Sequence, residues 1–379
     1  MTRSIQWIND PDALREMVAR FRTEPCVAMD TEFVWERTYY PRLGLIQLGA
    51  ADGTCYLVDA VALSDMTPLG ELLADAGIVK ILHDAPQDLM ILRRATGASA
   101  RNLFDTRLAA GFAGCAATLS LGNLLAELLD VHLAKAHTRA NWIARPLAPE
   151  VLDYAADDVV HLPRVAGLLR ERAQAAGVET WMDEELAALD QEGALDVVRD
   201  DEAYLRIRGA ASLSRRSLAV LRELAAWREQ AARQSDRPRR WVLEDGALGS
   251  IATVMPRTRE ALHRALRLSA DKEFPQADEW LAAVERGLAI PDEQLPEPVF
   301  PVPRDSTFRK ALDAAMADMQ ARAGRHGIDP QVVCSRNEMA QWLQAGSPAS
   351  SPAHRLSRGW RAELLKEPTA GENPIGTAG

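Results

Sequence analysis

The chain has 379 residues, of which 47% are hydrophobic and 26% are charged, and its formal net charge is -10. This composition is ordinary for a globular protein, and the length suffices for two or three domains. The negative net charge excludes a surface that is basic throughout, of the kind that coats nucleic acids. Four scattered cysteines without a C-x-x-C pair predict a cytoplasmic protein with no zinc site. We also expect no signal peptide and no membrane span, because no apolar run is long enough.

The first strong pattern after an opening helix over 10–21 is the sequence C-V-A-M-D-T-E-F at residues 26–33. It is an apolar run that ends in two carboxylates. Side chains two positions apart in a strand share a face, so Asp30 and Glu32 are expected to project together beyond a buried strand end. The pattern favours either a divalent cation held by oxygen ligands or a solvated strand end.

The next elements are predicted to be strands over 43–48 and 54–58, joined by an Asp-Gly hairpin, then a helix over 64–76 and a strand over 79–83. Asp84 is expected to cap the following helix, with Gln87 in the capping-box position. One cap is sufficient, which leaves Asp88 in the first turn as a candidate ligand. Asp105 is expected to cap a further helix rather than bind metal.

A basic and aromatic loop covers residues 131–146 and contains Lys135, Arg139, Trp142 and Arg145. Such a loop suits contact with phosphates and bases, although a solvated linker is an equal alternative. The pattern after it predicts one helix from about 149 to 170. Tyr154 and Asp158 are four residues apart, so this helix presents them on one face.

The second half of the chain changes charge twice. Residues 181–202 hold nine acidic residues and one Arg, which predicts a solvated acidic linker helix. Residues 204–240 hold ten Arg and three acids, a local charge of +7, within a helical pattern that continues to residue 288. This patch is the footprint expected for a phosphate backbone, although solubilising surface arginines are the alternative. A proline-rich linker, a second helical region over 307–365 and a disordered tail follow.

Four separated acids and one phenol therefore stand out: Asp30, Glu32, Asp88, Asp158 and Tyr154. The chemistry that needs such a set is phosphodiester hydrolysis with two divalent cations. Hard oxygen ligands predict Mg²⁺ or Mn²⁺. A phenol ordinarily stays protonated near neutral pH, so Tyr154 is expected to position the attacking water rather than act as a base.

These motifs resemble the DEDD superfamily of 3′→5′ exonucleases in its tyrosine-bearing branch, and within it the ribonuclease D family. The first motif is Asp30-Thr31-Glu32-Phe33, the second is His83 with Asp88, and the third is Tyr154-x-x-x-Asp158, preceded by Arg145-Pro146-Leu147. Residues 204–288 are similar to the helicase-and-RNase-D C-terminal (HRDC) module. A second, more divergent copy is implied after residue 304.

The resemblance implies an α/β fold with a ribonuclease-H-like mixed sheet flanked by helices, followed by one or two all-α HRDC modules. The expected domains are an exonuclease domain at 1–180, an acidic linker helix at 181–203, a first HRDC domain at 204–292, a proline-rich linker at 293–304, a divergent HRDC-like domain at 305–367 and a disordered tail at 368–379.

The resemblance also implies trimming of single-stranded RNA 3′ ends, tRNA precursors included, with release of nucleoside 5′-monophosphates and no obligate protein partner. The four acids would bind metal and Tyr154 would place the water. Expected substrate contacts are Lys135, Arg139, Trp142, His83, Arg215 and Arg216. Two alternatives stay open: a DNA 3′→5′ exonuclease with the same acids, and a non-catalytic RNA-binding protein that lacks at least one ligand.

Overall fold

The computed structural model describes residues 4–133, 140–190, 199–267, 274–297, 305–345 and 354–366. The chain divides into two compact units. The first comprises Met1–Val34, Leu43–Leu195 and Val302–Gly379, and the second comprises Trp35–Arg42 and Asp196–Pro301. This division differs from the predicted boundaries at residue 34 and after residue 301. The predicted tail at 368–379 lies outside the described residues.

A mixed sheet forms the centre of the first unit, as predicted, and it has six strands. Its strand order is β1-β4-β3-β2-β5-β6. The pairs β1–β4, β2–β5 and β5–β6 are parallel, whereas β3 and β4 are antiparallel. The strands are β1 (Ser4–Ile8), β2 (Cys26–Val34), β3 (Arg42–Gly49), β4 (Thr54–Asp59), β5 (Val79–Leu82) and β6 (Leu103–Asp105). The edge strand β1 was not predicted, because its short S-I-Q-W-I sequence carries no turn signal before it.

Helices cover both faces of this sheet. They are α1 (Pro11–Phe21), α2 (Thr67–Ala74), α3 (Pro86–Thr96), α4 (Thr106–Phe112), α5 (Leu121–Leu129), α6 (Pro149–Val160), α7 (Leu162–Ala175) and α8 (Glu179–Leu189). Along β2, Val27 and Met29 pack into the core with α1–α3, whereas Ala28 packs into the core with α4–α8. This alternation places Asp30 and Glu32 on the side of Ala28, which is the side of α6.

Two predicted elements differ in the structure. The single helix expected over 149–170 is divided into α6 and α7 at His161. Pro163 follows this break, and proline has no N–H for the hydrogen bond that a continuous helix requires. The expected acidic linker helix corresponds in part to α8, which buries Met182 and Leu186 in the first unit and is therefore not a solvated linker. Residues 191–198 lie outside the described residues.

The C-terminal helices pack into the core of the first unit. They are α14 (Ser306–Arg325), α15 (Pro330–Val333), α16 (Arg336–Gln344) and α17 (Gly359–Lys366). Val332 packs directly on Gly111 of α4, where an added Cβ would lie 2.3 Å from the Val332 Cγ1 atom. The ring of Trp360 stacks on Trp181 with 5.4 Å between centroids. The 305–367 region therefore shares a core with the sheet, and its kinship to HRDC stays a prediction.

The second unit is all-helical, as predicted, and consists of α9 (Arg215–Gln234), α10 (Arg239–Val242), α11 (Asp245–Val254), α12 (Arg259–Ala265), α13 (Ala277–Ala289) and short 3₁₀ turns. The Trp35–Arg42 segment belongs to it, because Tyr39 is buried and its hydroxyl donates to Glu229 at 2.8 Å. Within the described ranges, no helix of either unit combines the length and apolarity that crossing a bilayer requires.

Candidate active site

The predicted acids converge at the end of β2. Asp30 and Glu32 project from this strand, and Asp158 projects from α6 one helical turn after Tyr154. One carboxylate oxygen from each of Asp30, Glu32 and Asp158 lies within 4.8 Å of the other two. The i, i+2 spacing of a strand and the i, i+4 spacing of a helix therefore bring three acids to one point.

Asp88 approaches this cluster from the opposite helical layer. It lies in the first turn of α3, and its Oδ1 accepts a hydrogen bond from the Thr31 hydroxyl. Burial and the charge of Asp88 both raise the pKa of Asp30. Thr31 is a residue that sequence reasoning missed, although its position between Asp30 and Glu32 on the other face of β2 was a usable signal.

The electrostatics of the four acids favour a bound cation. Burial, followed by repulsion from neighbouring carboxylates, raises the pKa of Glu32 to about 8 and that of Asp30 well above its usual range. Burial also raises the pKa of Asp158 to about 7 and that of Asp88 to about 6, although hydrogen bonds from Tyr154 and Thr31 oppose the rise. Clustered carboxylate oxygens are the donor set that a hard divalent cation prefers, so these residues fit such an ion.

Tyr154 stays protonated in this setting. Burial and the charges of Asp158, Glu32 and Asp30 raise the pKa of its hydroxyl, because all of them disfavour a phenolate. The hydroxyl donates a hydrogen bond to Asp158. The buried ring of Trp142 lies beside the phenol, with 6.2 Å between the ring centroids. The phenol is therefore suited to orient a water molecule and not to remove a proton from it.

The beginning of α3 is held differently from the prediction. Asp84 does not cap the helix, whose N-cap is Ala85, and the Asp84 backbone has φ 63°. Asp84 pairs instead with Arg107. Asp105 accepts hydrogen bonds from the backbone N–H groups of Asp84 and Ala85, besides capping α4 as predicted. Because Asp105 lies 20 or more positions from these N–H groups, no local sequence pattern could have predicted this second role.

Two of the predicted substrate contacts are not open to solvent: Trp142 is buried, and His83 is half-buried. His83 Nδ1 is 3.0 Å from the Thr106 hydroxyl and its Nε2 is 3.2 Å from the carbonyl of Leu119, so both ring nitrogens are occupied. The Trp142 side chain is 1% exposed and has no face open for a base. Lys135 and Arg139 lie outside the described residues.

The predicted contacts Arg215 and Arg216 hold the module together. Arg215 donates to the carbonyls of Leu295 and Pro296, and Arg216 donates to the last carbonyls around α13. Six of the ten arginines in 204–240 form such internal hydrogen bonds or ion pairs: Arg215, Arg216, Arg222, Arg228, Arg233 and Arg239. Most arginines of this segment therefore stabilise the fold, and only the remaining ones are available to bind a phosphate.

The comparisons with known proteins agree with this geometry. Residues 5–174 match the family model described as 3′-5′ exonuclease, and residues 217–284 match the HRDC domain. Ribonuclease D of Desulfotalea psychrophila is 38% identical over 95% of this chain and 96% of its own length. The chain belongs to the ribonuclease D family. Ribonuclease D of Escherichia coli is 33% identical over 96% of both chains.

Solved structures extend the agreement to three dimensions. The crystal structure of Escherichia coli RNase D, described as an exoribonuclease involved in structured RNA processing, superposes with a TM-score of 0.83 over 96% of each chain at 31% identity. The catalytic core of RRP6 from Trypanosoma brucei shares the fold over 76% of this chain, with a TM-score of 0.58 and 23% identity. The protein is thus a 3′→5′ exoribonuclease of the ribonuclease D type.

Proposed function

We propose that this exoribonuclease removes nucleotides from single-stranded RNA 3′ ends, tRNA precursors included, and releases nucleoside 5′-monophosphates with the help of two Mg²⁺ or Mn²⁺ ions. The observation that carries the proposal is the convergence of Asp30, Glu32 and Asp158 within 4.8 Å, with Asp88 beside them. Free thiols at all four cysteines support a cytoplasmic location, and no obligate protein partner is proposed.

The proposed roles follow from position and protonation. Asp30, Glu32, Asp88 and Asp158 hold the divalent cations. When bound, such ions supply an acidified water and stabilise the charge on the leaving 3′ oxygen. The Tyr154 hydroxyl, held by Asp158, orients the attacking water in line with the scissile bond. The four carboxylates keep the phosphate away in the absence of cations, since like charges repel.

Product analysis on labelled RNA tests this proposal. We expect a 3′-labelled strand to release a labelled mononucleotide from the first turnover, and a 5′-labelled strand to shorten one nucleotide at a time. Chelation of divalent ions should stop both reactions. Asp30→Asn should lower turnover by roughly a thousandfold or more, as loss of a metal-dependent step predicts. Asp153→Asn is the matched control, because Asp153 is an exposed acid on the same helix as Asp158.

Three outcomes would contradict the proposal. Internal fragments from the 5′-labelled strand would show endonucleolytic cleavage. Full activity of Asp30→Asn would remove the acid cluster from the mechanism. Equal or faster degradation of a DNA strand of the same sequence would favour the DNA exonuclease alternative, because contacts to the 2′-hydroxyl are what distinguish the two substrates.

We also propose a phosphate-binding groove in the second unit in place of Arg215 and Arg216. This groove, of about 500 Å³, is lined by Arg208, Arg264 and Arg267, together with Gly246 and Gly249 of α11. The three arginines are exposed and form no hydrogen bond or close ion pair with any described residue. A Cβ at either glycine would meet no atom within 4 Å, so the groove is open on that side. Exposed guanidinium groups along an open groove suit the backbone of single-stranded RNA.

Salt dependence of RNA binding tests the groove. Replacing Arg264 and Arg267 together with Gln should reduce the slope of log K against log salt by about 1.4, or about 0.7 for each lost phosphate contact to a single strand. Hydrolysis of a dinucleotide should be unchanged. The matched control replaces Arg237 and Arg240, which are exposed arginines of the same unit outside the groove. An equal change of slope in the control would show that binding follows net charge and not this groove.

A further inference from the structure

Arg145 belongs to the loop for which phosphate contact and a solvated linker were equal predictions, but in the structure its guanidinium is half-buried against the sheet of the first unit. All five N–H groups have acceptors. Nε and Nη2 donate to the two carboxylate oxygens of Asp59 at 2.9 and 2.6 Å, and Nη2 also donates to the Gly44 carbonyl at 2.7 Å. Nη1 donates to the carbonyls of Trp142 at 2.8 Å and Ala144 at 2.7 Å. A guanidinium has five N–H donors, so none remains for a phosphate.

Two of the four residues that accept from Arg145, Asp59 and Gly44, lie on strands of the sheet. Asp59 is the last residue of β4 and is buried, and its carboxylate also accepts the N–H groups of Val61 and Ala62. Gly44 lies in β3 directly beneath the loop, where an added Cβ would be 2.3 Å from the carbonyl oxygen of Trp142. Arg145 therefore fixes the backbone of Trp142 against two neighbouring strands.

Trp142 transmits this position to the active site. Its side chain is buried, and its ring is tilted 34° against the ring of Tyr154 at a centroid distance of 6.2 Å. We propose that Arg145 is a positioning residue for the reaction: through the Trp142 carbonyl it sets the surface against which Tyr154 packs, and so directs the phenol at the attacking water. The inference rests on the proposed role of Tyr154. A phenol that orients water is sensitive to small displacements, because misplacement of a reacting group by about 1 Å can lower the reaction rate about 10²-fold.

A double-mutant cycle on the full-length protein tests this inference. The variants are Arg145→Lys, Tyr154→Phe and the combination, assayed on a short single-stranded RNA at saturating Mg²⁺. Lysine keeps the charge but cannot span a carboxylate and three carbonyls with a planar fork. Tyr154→Phe alone should lower kcat with Mg²⁺ affinity nearly unchanged. We expect Arg145→Lys to lower kcat roughly 10- to 100-fold with KM within about threefold, and to have less than about a twofold effect in the Tyr154→Phe background.

Two further variants keep the test decisive if Arg145→Lys folds poorly. Asp59→Asn weakens the hold on Arg145, and Trp142→Phe leaves the loop backbone in place but shrinks the ring that contacts Tyr154. Both should lower kcat more than KM, and both effects should nearly vanish in the Tyr154→Phe background. Arg22→Lys is the matched control, because Arg22 forms an exposed ion pair with Glu71. It should leave kcat unchanged.

The outcomes separate this inference from the proposed function. If the losses in kcat multiply in the combined variants, Arg145 acts independently of Tyr154 and the inference is overturned. The same conclusion holds if Arg145→Lys raises KM with kcat intact, because that result indicates substrate contact. Failure of the proposed function is distinct: the wild-type protein itself would then show no Mg²⁺-dependent release of mononucleotides from RNA 3′ ends.

Discussion

Burying Asp30 and Glu32 on a strand lowers the stability of the fold and creates a site for a cation. Each loses water on folding and faces other carboxylates, so the pKa of both side chains is raised. Without a cation this cluster opposes folding at alkaline pH. Two hydroxyl groups stabilise the carboxylates of this cluster: Thr31 donates a hydrogen bond to Asp88, and Tyr154 donates one to Asp158. The repulsion among these carboxylates therefore contributes to the affinity of the cluster for a positively charged ligand.

The raised pKa values predict how stability depends on pH. Because Glu32 titrates near pH 8 and Asp158 near pH 7, the folded protein binds more protons than the unfolded chain from about pH 5 to 8. The metal-free protein should therefore become less stable as pH rises from 6 to 8. Mg²⁺ should raise the melting temperature more at pH 8 than at pH 6, because the ion replaces protons.

Thermal unfolding of wild type and Glu32→Gln, with chelator or with Mg²⁺, measures this effect. The variant lacks the carboxyl group whose pKa burial raises to about 8, so its metal-free stability should fall less between pH 6 and 8. Burial lowers the pKa of His83, which adds stability as pH rises and is common to both proteins. A variant that follows the same pH curve as wild type would contradict the assignment.

At the scale of elements, the start of α3 depends on an acid from another part of the chain. Sequence reasoning assigned the cap to Asp84, because a local pattern of Asp followed by Pro and Gln fits a capping box. The structure uses Asp105, whose single buried carboxylate serves the N–H groups that precede α3 and those that begin α4. Asp88, in the first turn of α3, depends on this junction for its position.

Replacing Asp105 should therefore affect both stability and the metal site. Asp105→Ala leaves four backbone N–H groups without their acceptor, and we expect a loss of about 3 kcal/mol in the free energy of unfolding. Mg²⁺ affinity should fall as Asp88 moves. Asp84→Asn is the matched control, because it removes only an exposed ion pair and asparagine tolerates positive φ, so about 0.5 kcal/mol is expected. Equal losses in urea unfolding would show that the junction does not depend on Asp105.

At the scale of the molecule, the C-terminal helices complete the core of the first unit. Arg361 is 5% exposed, and its Nη2 donates to Glu185 of α8 and to the carbonyl of Val332, each at 2.7 Å. Its neighbour Trp360 packs on Phe112 of α4 and on Trp181. A fragment that ends near residue 180 would lose this cover together with α8, so point variants are better probes of the catalytic domain than truncation.

Breaking the Glu185–Arg361 pair should loosen these helices. Glu185→Gln leaves a buried guanidinium without its counter-charge, and we expect a loss of about 3 kcal/mol with early proteolytic release of the region after residue 305. Asp183→Asn, an exposed acid on the same helix, should cost at most about 1 kcal/mol. If α17 in the Glu185→Gln variant resists proteolysis as well as it does in the wild type, apolar packing alone holds the C-terminal helices.

The sequence by itself determined which acids are candidates for the metal site. It also determined that the first half forms a mixed sheet with helices and that the second half is helical. These follow from local rules: strand alternation for Asp30 and Glu32, helical spacing for Tyr154 and Asp158, and helix-start chemistry for Asp88. Only the tertiary structure decided which charges are free. Arg145 lies 86 positions after Asp59 and Arg216 lies 76 positions before Asp292, and no periodic pattern encodes a partner at such a separation. Local composition therefore overstated the basic surface, because a buried or paired arginine has the same letter as an exposed one.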